Sequence, residues 1–358
     1  MKVLVASVTN RGPEIIAPHI ASIKALEVPP KTEISLAYIS DGAPNESLML
    51  LEAAGARVAL AQPKPPDASY AVTEVTHHWS LGSFAFLARE KQRLMDLAVE
   101  EGFDAIFLVD SDLVLGPETL ASLVSAQKPV VSAVFWTKWQ PEAPPMPQTW
   151  LSHPYDFTGR SGTTYLKAEE FLQRLSSRAL LEVGGLGACT LIRTDVIRDG
   201  RAAFWPLLEG LPQGGMWQGE DRHFCVRAAH NHVSMWTDAW SDIVHLYRPS
   251  DVENLEALKA THPKRKEIAA WGDDVSIIIE ALEEPELAKM GRREHLRGRV
   301  GQLRLLPDLE DAVLATRVGS ERIVKVRFPM WWSTKHLQGQ TRNVMLRVVD
   351  VKEHRRGD

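Results

Sequence analysis

Apolar residues in the first half of the chain fall alternately into short β-type runs and longer helical patterns. Lys2 to Val8 reads as a strand, Pro13 to Leu26 as a helix, Glu33 to Ile39 as a strand ending in Ser40-Asp41-Gly42, Glu46 to Ala54 as a helix and Arg57 to Ala61 as a third strand. A proline-rich connection, Pro63 to Pro66, leads into a long helical pattern from Ser83 to Glu101. Then come the unbroken apolar run Ala105 to Val109, a helix over Pro117 to Ala126 and a strand over Pro129 to Phe135. A short continuous apolar run bounded by polar residues suits a parallel strand covered on both faces. The alternation predicts an α/β fold, a parallel-centred sheet with helices on both sides.

From Trp136 to Leu180 the pattern dissolves into proline, glycine and aromatic residues, among them Pro141, Pro144, Pro145, Pro147, Trp150 and Tyr155. Loops of this length in a compact domain are usually functional or mobile. Strand signals return at Leu180 to Val183 and Gly187 to Ile192, around a glycine-rich turn. A second loop, Phe204 to Gly219, precedes Gly219-Glu220-Asp221 and a helix running to Ala229, then a strand at Val233 to Thr237 and the segment Asp242-Ile243-Val244-His245. Beyond about Trp271 the texture changes, with β-type runs at Val275 to Ala281, Ile323 to Phe328 and Val344 to Val351 and the aromatic cluster Met330-Trp331-Trp332. This predicts a main domain over residues 1–270 and a small β-containing accessory region over 271–358.

Composition narrows the class. The 358 residues are 44% hydrophobic with a formal charge of -5, which describes a globular chain long enough for one large core plus an appendage. No apolar stretch approaches the ~20 residues of a membrane helix. The apolar start, Met1 to Val8, soon meets Thr9-Asn10-Arg11-Gly12 and is too short for a signal-peptide core. Two cysteines, Cys189 and Cys225, are too few for a disulfide framework or a cysteine zinc site, so a cytoplasmic location is expected.

The segment richest in candidate chemistry is Asp110-Ser111-Asp112, which closes the buried apolar run. Strand alternation predicts that Asp110 and Asp112 point to one side and Ser111 to the other. Carboxylates at the carboxyl end of a central strand lie where open α/β sheets bind ligands, and a pair of them attracts a hard divalent cation. An Asp-x-Asp also occurs in ordinary loops, as caps and turns.

The order of these features resembles the nucleotide-sugar-dependent glycosyltransferases of the GT-A fold, in pattern the large inverting family 2 and its relatives. The matching elements are Thr9-Asn10-Arg11 after the first strand, Asp41 after the second, Ala88-Arg89-Glu90-Lys91 on the long helix, Asp110-Ser111-Asp112, the glycine-rich turn Gly184 to Cys189, Gly219-Glu220-Asp221, and His245. They span roughly residues 1 to 250. Such families often carry Arg-Asn where this chain has Arg89-Glu90.

The resemblance implies a GT-A (Rossmann-like) mixed sheet and a nucleoside diphosphate sugar as donor, typically UDP-linked. A divalent cation, Mn²⁺ or Mg²⁺, would act as Lewis acid on the departing diphosphate. Asp112 is then the candidate direct ligand, Asp110 a ribose or metal contact, and His245 a third ligand or an ordinary hydrogen-bonded histidine. Asp41 would bond the base, or merely form an Asp-Gly turn. Thr9, Asn10, Arg11 and Ser111 are candidate donor contacts. Arg89 and Lys91 are further candidates, alternatively a solvated face or partners for Glu90 and Glu101.

An inverting transfer needs a base for the acceptor hydroxyl. Asp221 is the leading candidate and Glu220 the second. The start of the following helix would favour an ionised Asp221, though the same position suits a helix N-cap. Trp205, Trp217, Trp236 and Trp240 could stack on sugar faces or simply fill the core. The acceptor class (glycan, lipid, protein or nucleic acid) is left open. A basic cluster, Lys289, Arg292, Arg293, Arg297, Arg299 and Arg304, could guide an anionic acceptor. Two other classes compete: a sugar nucleotidyltransferase, whose glycine-rich phosphate loop Thr9-Asn10-Arg11-Gly12-Pro13 imitates poorly, and a non-catalytic carbohydrate-binding relative.

Overall fold

A computed structural model of the chain describes residues 1–73, 77–140, 145–150, 171, 175, 180–209, 219–239, 241–260, 273–281, 294–300, 307–314, 316, 321–328 and 338–352. It divides into two compact units, Met1–Tyr165 with Leu181–His262 and Leu166–Leu180 with Pro263–Asp358.

The first unit carries the expected alternation: β1 (Lys2–Thr9), α1 (Pro13–Lys24), β2 (Glu33–Ser40), α2 (Asn45–Ala53) and β3 (Arg57–Leu60). Between β3 and the long helix α3 (Leu81–Glu100) lies an element the apolar pattern does not reveal, a hairpin of β4 (Tyr70–Val72) and β5 (His77–Trp79). Next come β6 (Ala105–Val109), β7 (Leu113–Val114), α4 (Thr119–Ser125) and β8 (Val130–Ala133). The proline-rich stretch contributes only two-residue strands, β9 (Trp136–Thr137), β10 (Met146–Pro147) and β11 (Thr149–Trp150). The chain then forms β12 (Leu180–Val183), β13 (Gly185–Leu186), β14 (Cys189–Arg193), α5 (Thr194–Arg198), α6 (Glu220–His230), β15 (Met235–Asp238) and β16 (Val244–His245), and two short helices, α7 (Pro249–Glu253) and α8 (Leu255–Ala260).

Eight strands make the main sheet, in the order β12-β15-β8-β14-β6-β1-β2-β3. The run β6-β1-β2-β3 is parallel, and β14 is antiparallel to both β6 and β8. This is a mixed, helix-flanked α/β sheet. Ala105 to Val109 are all buried, as a strand covered on both faces requires. On one side of the sheet Ile16, Ile20, Tyr38, Leu51 and Ala56 pack into a cluster that fixes α1 and α2. Ile15, Val114, Val244 and Leu246 form another, joining α1 to the β7–β16 ladder. At 25 cal/mol per Å², each fully buried Ile or Leu in such clusters contributes roughly 1.5–3 kcal/mol.

Parallel strands place their carboxyl ends on one edge of the sheet. Thr9-Asn10-Arg11, Asp41 and Asp110-Ser111-Asp112 therefore leave β1, β2 and β6 side by side. Asp41 N–H donates to the Thr9 carbonyl at 2.7 Å, and Ser111 Oγ donates to the Val8 carbonyl at 3.4 Å.

The second unit contains a four-stranded antiparallel sheet in the order β18 (Glu294–Arg299), β17 (Asp274–Ala281), β20 (Thr341–Lys352), β19 (Glu321–Arg327), with the helix α9 (Pro307–Leu314). Val275, Ile277, Ile279, Val326, Val344, Leu346 and Val348 alternate inward along these strands. Strand β18 crosses the basic cluster, where no apolar alternation announces a strand. Lys289, Arg292, Arg293 and Arg304 lie outside the described residues, as do Met330-Trp331-Trp332, Trp217 and Trp240. Among the described residues no helix is long and apolar enough to cross a membrane. Cys189 and Cys225 are both buried free thiols.

Candidate active site

A cavity of about 570 Å³ opens at the carboxyl edge of the sheet. Its walls include Thr9, Asn10, Arg11, Asp41, Asp110, Ser111, Asp112, Glu220, Asp221 and His245, which come from five separate stretches of sequence. Lys91 reaches the same carboxylates from beneath. Of the residues singled out in the sequence, Arg89 stands apart: it is absent from the cavity wall, and its guanidinium lies 4.5 Å from the centre of the Trp205 ring.

Asp112 and His245 are brought together by strand pairing. The β7–β16 ladder sets His245 opposite Leu113, and Leu246 N–H donates to the Asp112 carbonyl at 2.9 Å. His245 Nδ1 is 2.9 Å from Thr137 Oγ1, which turns Nε2 toward Asp112 Oδ2 at 3.6 Å. The same Oδ2 accepts a 2.5 Å bond from the Arg11 guanidinium. Burial favours a protonated Asp112 carboxyl, yet Arg11 and His245 outweigh it and hold this group well below the usual carboxylate range. Asp112, Arg11 and His245 thus form one compact group.

Asp110 belongs to another. It is half-exposed, and its carboxylate lies 3.9 Å from Lys91 Nζ. Lys91, only 6% exposed, donates to Glu220 Oε1 at 2.7 Å and to Asp221 Oδ1 at 3.0 Å. Burial opposes the charge on Lys91, but Asp221, Glu220 and Asp110 outweigh it and hold the ammonium protonated. The solvated-face alternative for Lys91 is excluded by this placement. The acidic residues near it in sequence have other partners, Glu90 with Arg93 and Glu101 with Arg57.

Glu220 and Asp221 occupy the first turn of α6, where the helix dipole favours negative charge. The N-cap is Gly219, in the left-handed region at φ 107°, so Asp221 is free of the capping role. Burial is the largest influence on the Asp221 carboxyl and pushes it up to about 6, with Lys91 pulling the other way. Gly187 makes room for it: a Cβ there would sit 2.4 Å from Asp221 Oδ2.

Asp41 forms a 2.7 Å ion pair with Lys64, a residue held between Pro63 and Pro65. A buried polar chain supports the centre of the site from behind. His19 Nδ1 donates to the Leu113 carbonyl at 2.8 Å and Nε2 accepts from Tyr38 OH at 2.8 Å, a neutral tautomer consistent with burial lowering the imidazole pKa.

One wall of the cavity is aromatic and has no counterpart among the residues picked from sequence. His77 stacks on Tyr247 with centroids 3.9 Å apart, Tyr70 meets His77 and Trp79, and Trp139 meets Tyr247 edge-on. His77 Nε2 donates to the Tyr247 carbonyl at 2.6 Å and Nδ1 accepts from Tyr70 OH at 3.0 Å, tying the β4–β5 hairpin to the segment after His245. On the opposite side Trp150 lies directly against Gly185, with the Arg222 guanidinium 4.8 Å from its ring centre. Trp205 and Trp236 do not line the cavity; Trp79, Trp139 and Trp150 do. The available signal was Tyr70 and His77-His78-Trp79 between proline-rich and serine breakers, too short to register as period-two alternation.

Among the described residues no three His, Cys, Asp or Glu side chains converge as a metal cage. The donor chemistry of Asp112 and His245 does fit a divalent cation held by two protein groups, since Mg²⁺-type sites commonly use one or two side chains with substrate phosphates and water completing the shell. The Thr137 bond to Nδ1 is the kind of outer support that orients an imidazole ligand.

No protein-family model matches the chain, and no curated protein does. Among solved structures, residues 1-349 of S. aureus TarS in complex with UDP-GlcNAc are similar over 66% of this chain and 56% of that one, at 14% identity and a TM-score of 0.39. The same TarS fragment in complex with UDP aligns over 73% and 65%, at 15% identity and a TM-score of 0.39. GalNAc-T7 with UDP, GalNAc and Mn²⁺ aligns over 69% and 44%, at 12% identity and a TM-score of 0.42. The chain thus spans between 44% and 65% of the length of these chains, and its description as a mixed α/β sheet rests on its own strand order.

Proposed function

We propose that this protein is a glycosyltransferase that moves a sugar from a nucleoside diphosphate donor, UDP-linked in our reading, to a hydroxyl-bearing acceptor, with inversion. The reading assigns the transferase to residues 1–270 and an accessory role to 271–358. The observation that supports it most is the separation of two charge groups in one cavity. Asp112, Arg11 and His245 suit a diphosphate and its cation, while Lys91, Glu220 and Asp221 suit a proton acceptor.

In this reading Arg11 attracts the donor's phosphates, and Thr9, Asn10, Asp41 and Ser111 line the nucleoside end. A bound Mn²⁺ or Mg²⁺, held by Asp112 and His245, would supply Lewis-acid stabilisation of the leaving diphosphate. Asp221 takes the proton from the acceptor hydroxyl as that oxygen attacks the sugar, and Glu220, more deeply buried, shares Lys91 with it and keeps the ammonium in place. With its carboxyl pushed up to about 6, Asp221 is ionised at neutral pH and still basic enough to accept a proton. Gly187 and Lys91 fix the carboxylate from two sides.

A panel of nucleotide sugars scored for nucleoside diphosphate release and sugar transfer, with Mn²⁺, Mg²⁺ or EDTA, tests the proposal. Transfer that is lost in Asp112→Ala and in EDTA is the expected result; release of pyrophosphate from a nucleoside triphosphate would instead identify a nucleotidyltransferase. Donor binding with no turnover under any cation would point to a non-catalytic relative.

A further inference from the structure

The carboxylate best placed to hold a divalent cation is already held by the protein. Asp112 Oδ2 faces His245 Nε2 at 3.6 Å, and an ion shared by these two groups must sit on that side of the carboxylate. Arg11 bonds the same oxygen at 2.5 Å, with both side chains largely withdrawn from solvent, 14% and 7% exposed. The guanidinium is itself backed by the Tyr70 ring, 5.7 Å from its centroid. Arg11 lies in the loop between β1 and α1 on a fixed backbone: its N–H donates to Thr9 Oγ1 at 3.2 Å, and its carbonyl accepts from Ser47 Oγ at 2.9 Å. The contact therefore joins two anchored segments.

We infer that Arg11 is a placeholder cation: it occupies Asp112 in the free protein, excludes a divalent ion from the Asp112–His245 pair, and is drawn off only when a diphosphate arrives with the ion. Three observations carry this. A guanidinium bonded to a carboxylate oxygen takes up a lone pair that an incoming ion would use, and two cations brought to one buried oxygen repel strongly at low effective dielectric. Asp112 and His245 supply two ligands, leaving a shell that phosphate oxygens and water must complete. Arg11 also lines the donor cavity, so the guanidinium released from Asp112 has a dianionic partner within the same space. Ion and nucleotide then bind cooperatively, because each removes an obstacle to the other. The inference rests on the donor reading for the identity of the diphosphate, but the competition between Arg11 and the ion does not need a nucleotide.

The test is Mn²⁺ binding to the full chain, followed by electron paramagnetic resonance of the free ion, with and without UDP, for the wild type, Arg11→Met and Arg11→Gln. Removing the guanidinium should tighten nucleotide-free Mn²⁺ binding at least about tenfold. In the wild type UDP should tighten Mn²⁺ binding by about tenfold more than it does in either Arg11 variant, where direct coordination by the phosphates is the coupling that remains. Adding Asp112→Asn to Arg11→Met should abolish the gain. Arg11→Gln keeps a neutral donor near Asp112 and covers the case in which Arg11→Met does not fold. Arg11 variants that bind Mn²⁺ no better than the wild type overturn the inference, as does UDP binding to the wild type with no effect on Mn²⁺. A wild type that binds no UDP refutes the donor reading, while the nucleotide-free arm still decides whether Arg11 and Mn²⁺ compete.

Discussion

Replacing Lys91 by methionine removes one ammonium from beneath two carboxylates while keeping the length and apolar character of the stem. At an effective dielectric of about 20, contacts of 2.7 and 3.0 Å correspond to roughly 6 and roughly 5.5 kcal/mol of attraction before desolvation is counted. Burial of all three groups offsets much of this, and breaking a buried ion pair by deleting one partner costs about 3–5 kcal/mol. We expect Lys91→Met to lose stability on that scale, about 2–4 °C of thermal midpoint for each kcal/mol in a chain of this size.

The pH dependence separates this account from a simple packing defect. In the wild type the Asp221 carboxyl is raised from 3.8 to about 6, so the folded chain holds its proton more tightly than the unfolded chain, and this group's contribution to stability declines as pH rises through that window. Lys91 opposes the rise. Without it the Asp221 pKa climbs further, and the declining window extends to higher pH. The gap between wild type and Lys91→Met should therefore be widest near pH 8 and narrow clearly by about pH 5, where Asp221 of the variant is neutral. Urea unfolding at both pH values reads this directly. A gap of equal size at the two would refute the charge argument, and so would a Lys91→Arg protein as unstable as Lys91→Met. In the transfer assay the acid limb of the rate profile should move up by about 1–3 pH units in Lys91→Met.

Asp221→Asn should lower the transfer rate by about 10²–10⁴ while the dissociation constant for UDP, measured by calorimetry, stays within about twofold. Gly187→Ala places a methyl group 2.4 Å from Asp221 Oδ2, so the carboxylate must shift; we expect kcat to fall about tenfold with little change in donor KM, read by steady-state kinetics. Tyr38→Phe leaves His19 Nε2 buried without its donor and should cost about 1–3 kcal/mol in denaturant unfolding. Because burial keeps His19 neutral in the fold, its own contribution to stability should decline as pH falls below about 6.5, so the difference between wild type and His19→Gln in thermal unfolding should shrink toward acid pH.

Much of the scaffold was legible because it depends on apolar periodicity. The runs that form β1, β2, β6 and β8 and the helical patterns of α1 and α3 fall within a few residues of their observed limits. The β4–β5 hairpin escaped because three-residue strands offer too little alternation, and its stability comes from side chains distant in sequence, His77 bonded to Tyr247. Lys91 was a candidate donor contact in the sequence, but its burial among carboxylates was not legible there, for a different reason. A helix with charged residues reads as having a solvated face, yet Glu90 and Lys91 are among the buried residues of α3 together with Phe86, Leu94 and Met95. The second buried face of this helix is polar because it meets carboxylates, and hydrophobic periodicity has no term for a face buried by charge pairing.

The same reasoning explains why Asp110 and Asp112 end in different groups although strand alternation sets them on one side. Alternation holds only while the chain remains extended, and β6 ends at Val109. Asp110 N–H still donates to the Ala188 carbonyl at 2.8 Å, but Leu113 N–H turns back to the Asp110 carbonyl at 3.1 Å, so residues 110 to 113 form a tight turn. Asp110 stays on the β14 side, within reach of Lys91, while Asp112 is carried toward β16 and meets His245. The turn is what allows two carboxylates separated by one residue to serve unlike partners. A strand that continued through Asp112 would bring both to one point, where like charges only a few ångströms apart resist joint ionisation. By splitting them, the chain lets Asp112 remain ionised beside Arg11 while Asp110 lies within reach of Lys91. Lengthening β6 by substitutions that favour extended backbone at Ser111 should therefore weaken both groups at once, since each depends on the turn for its spacing.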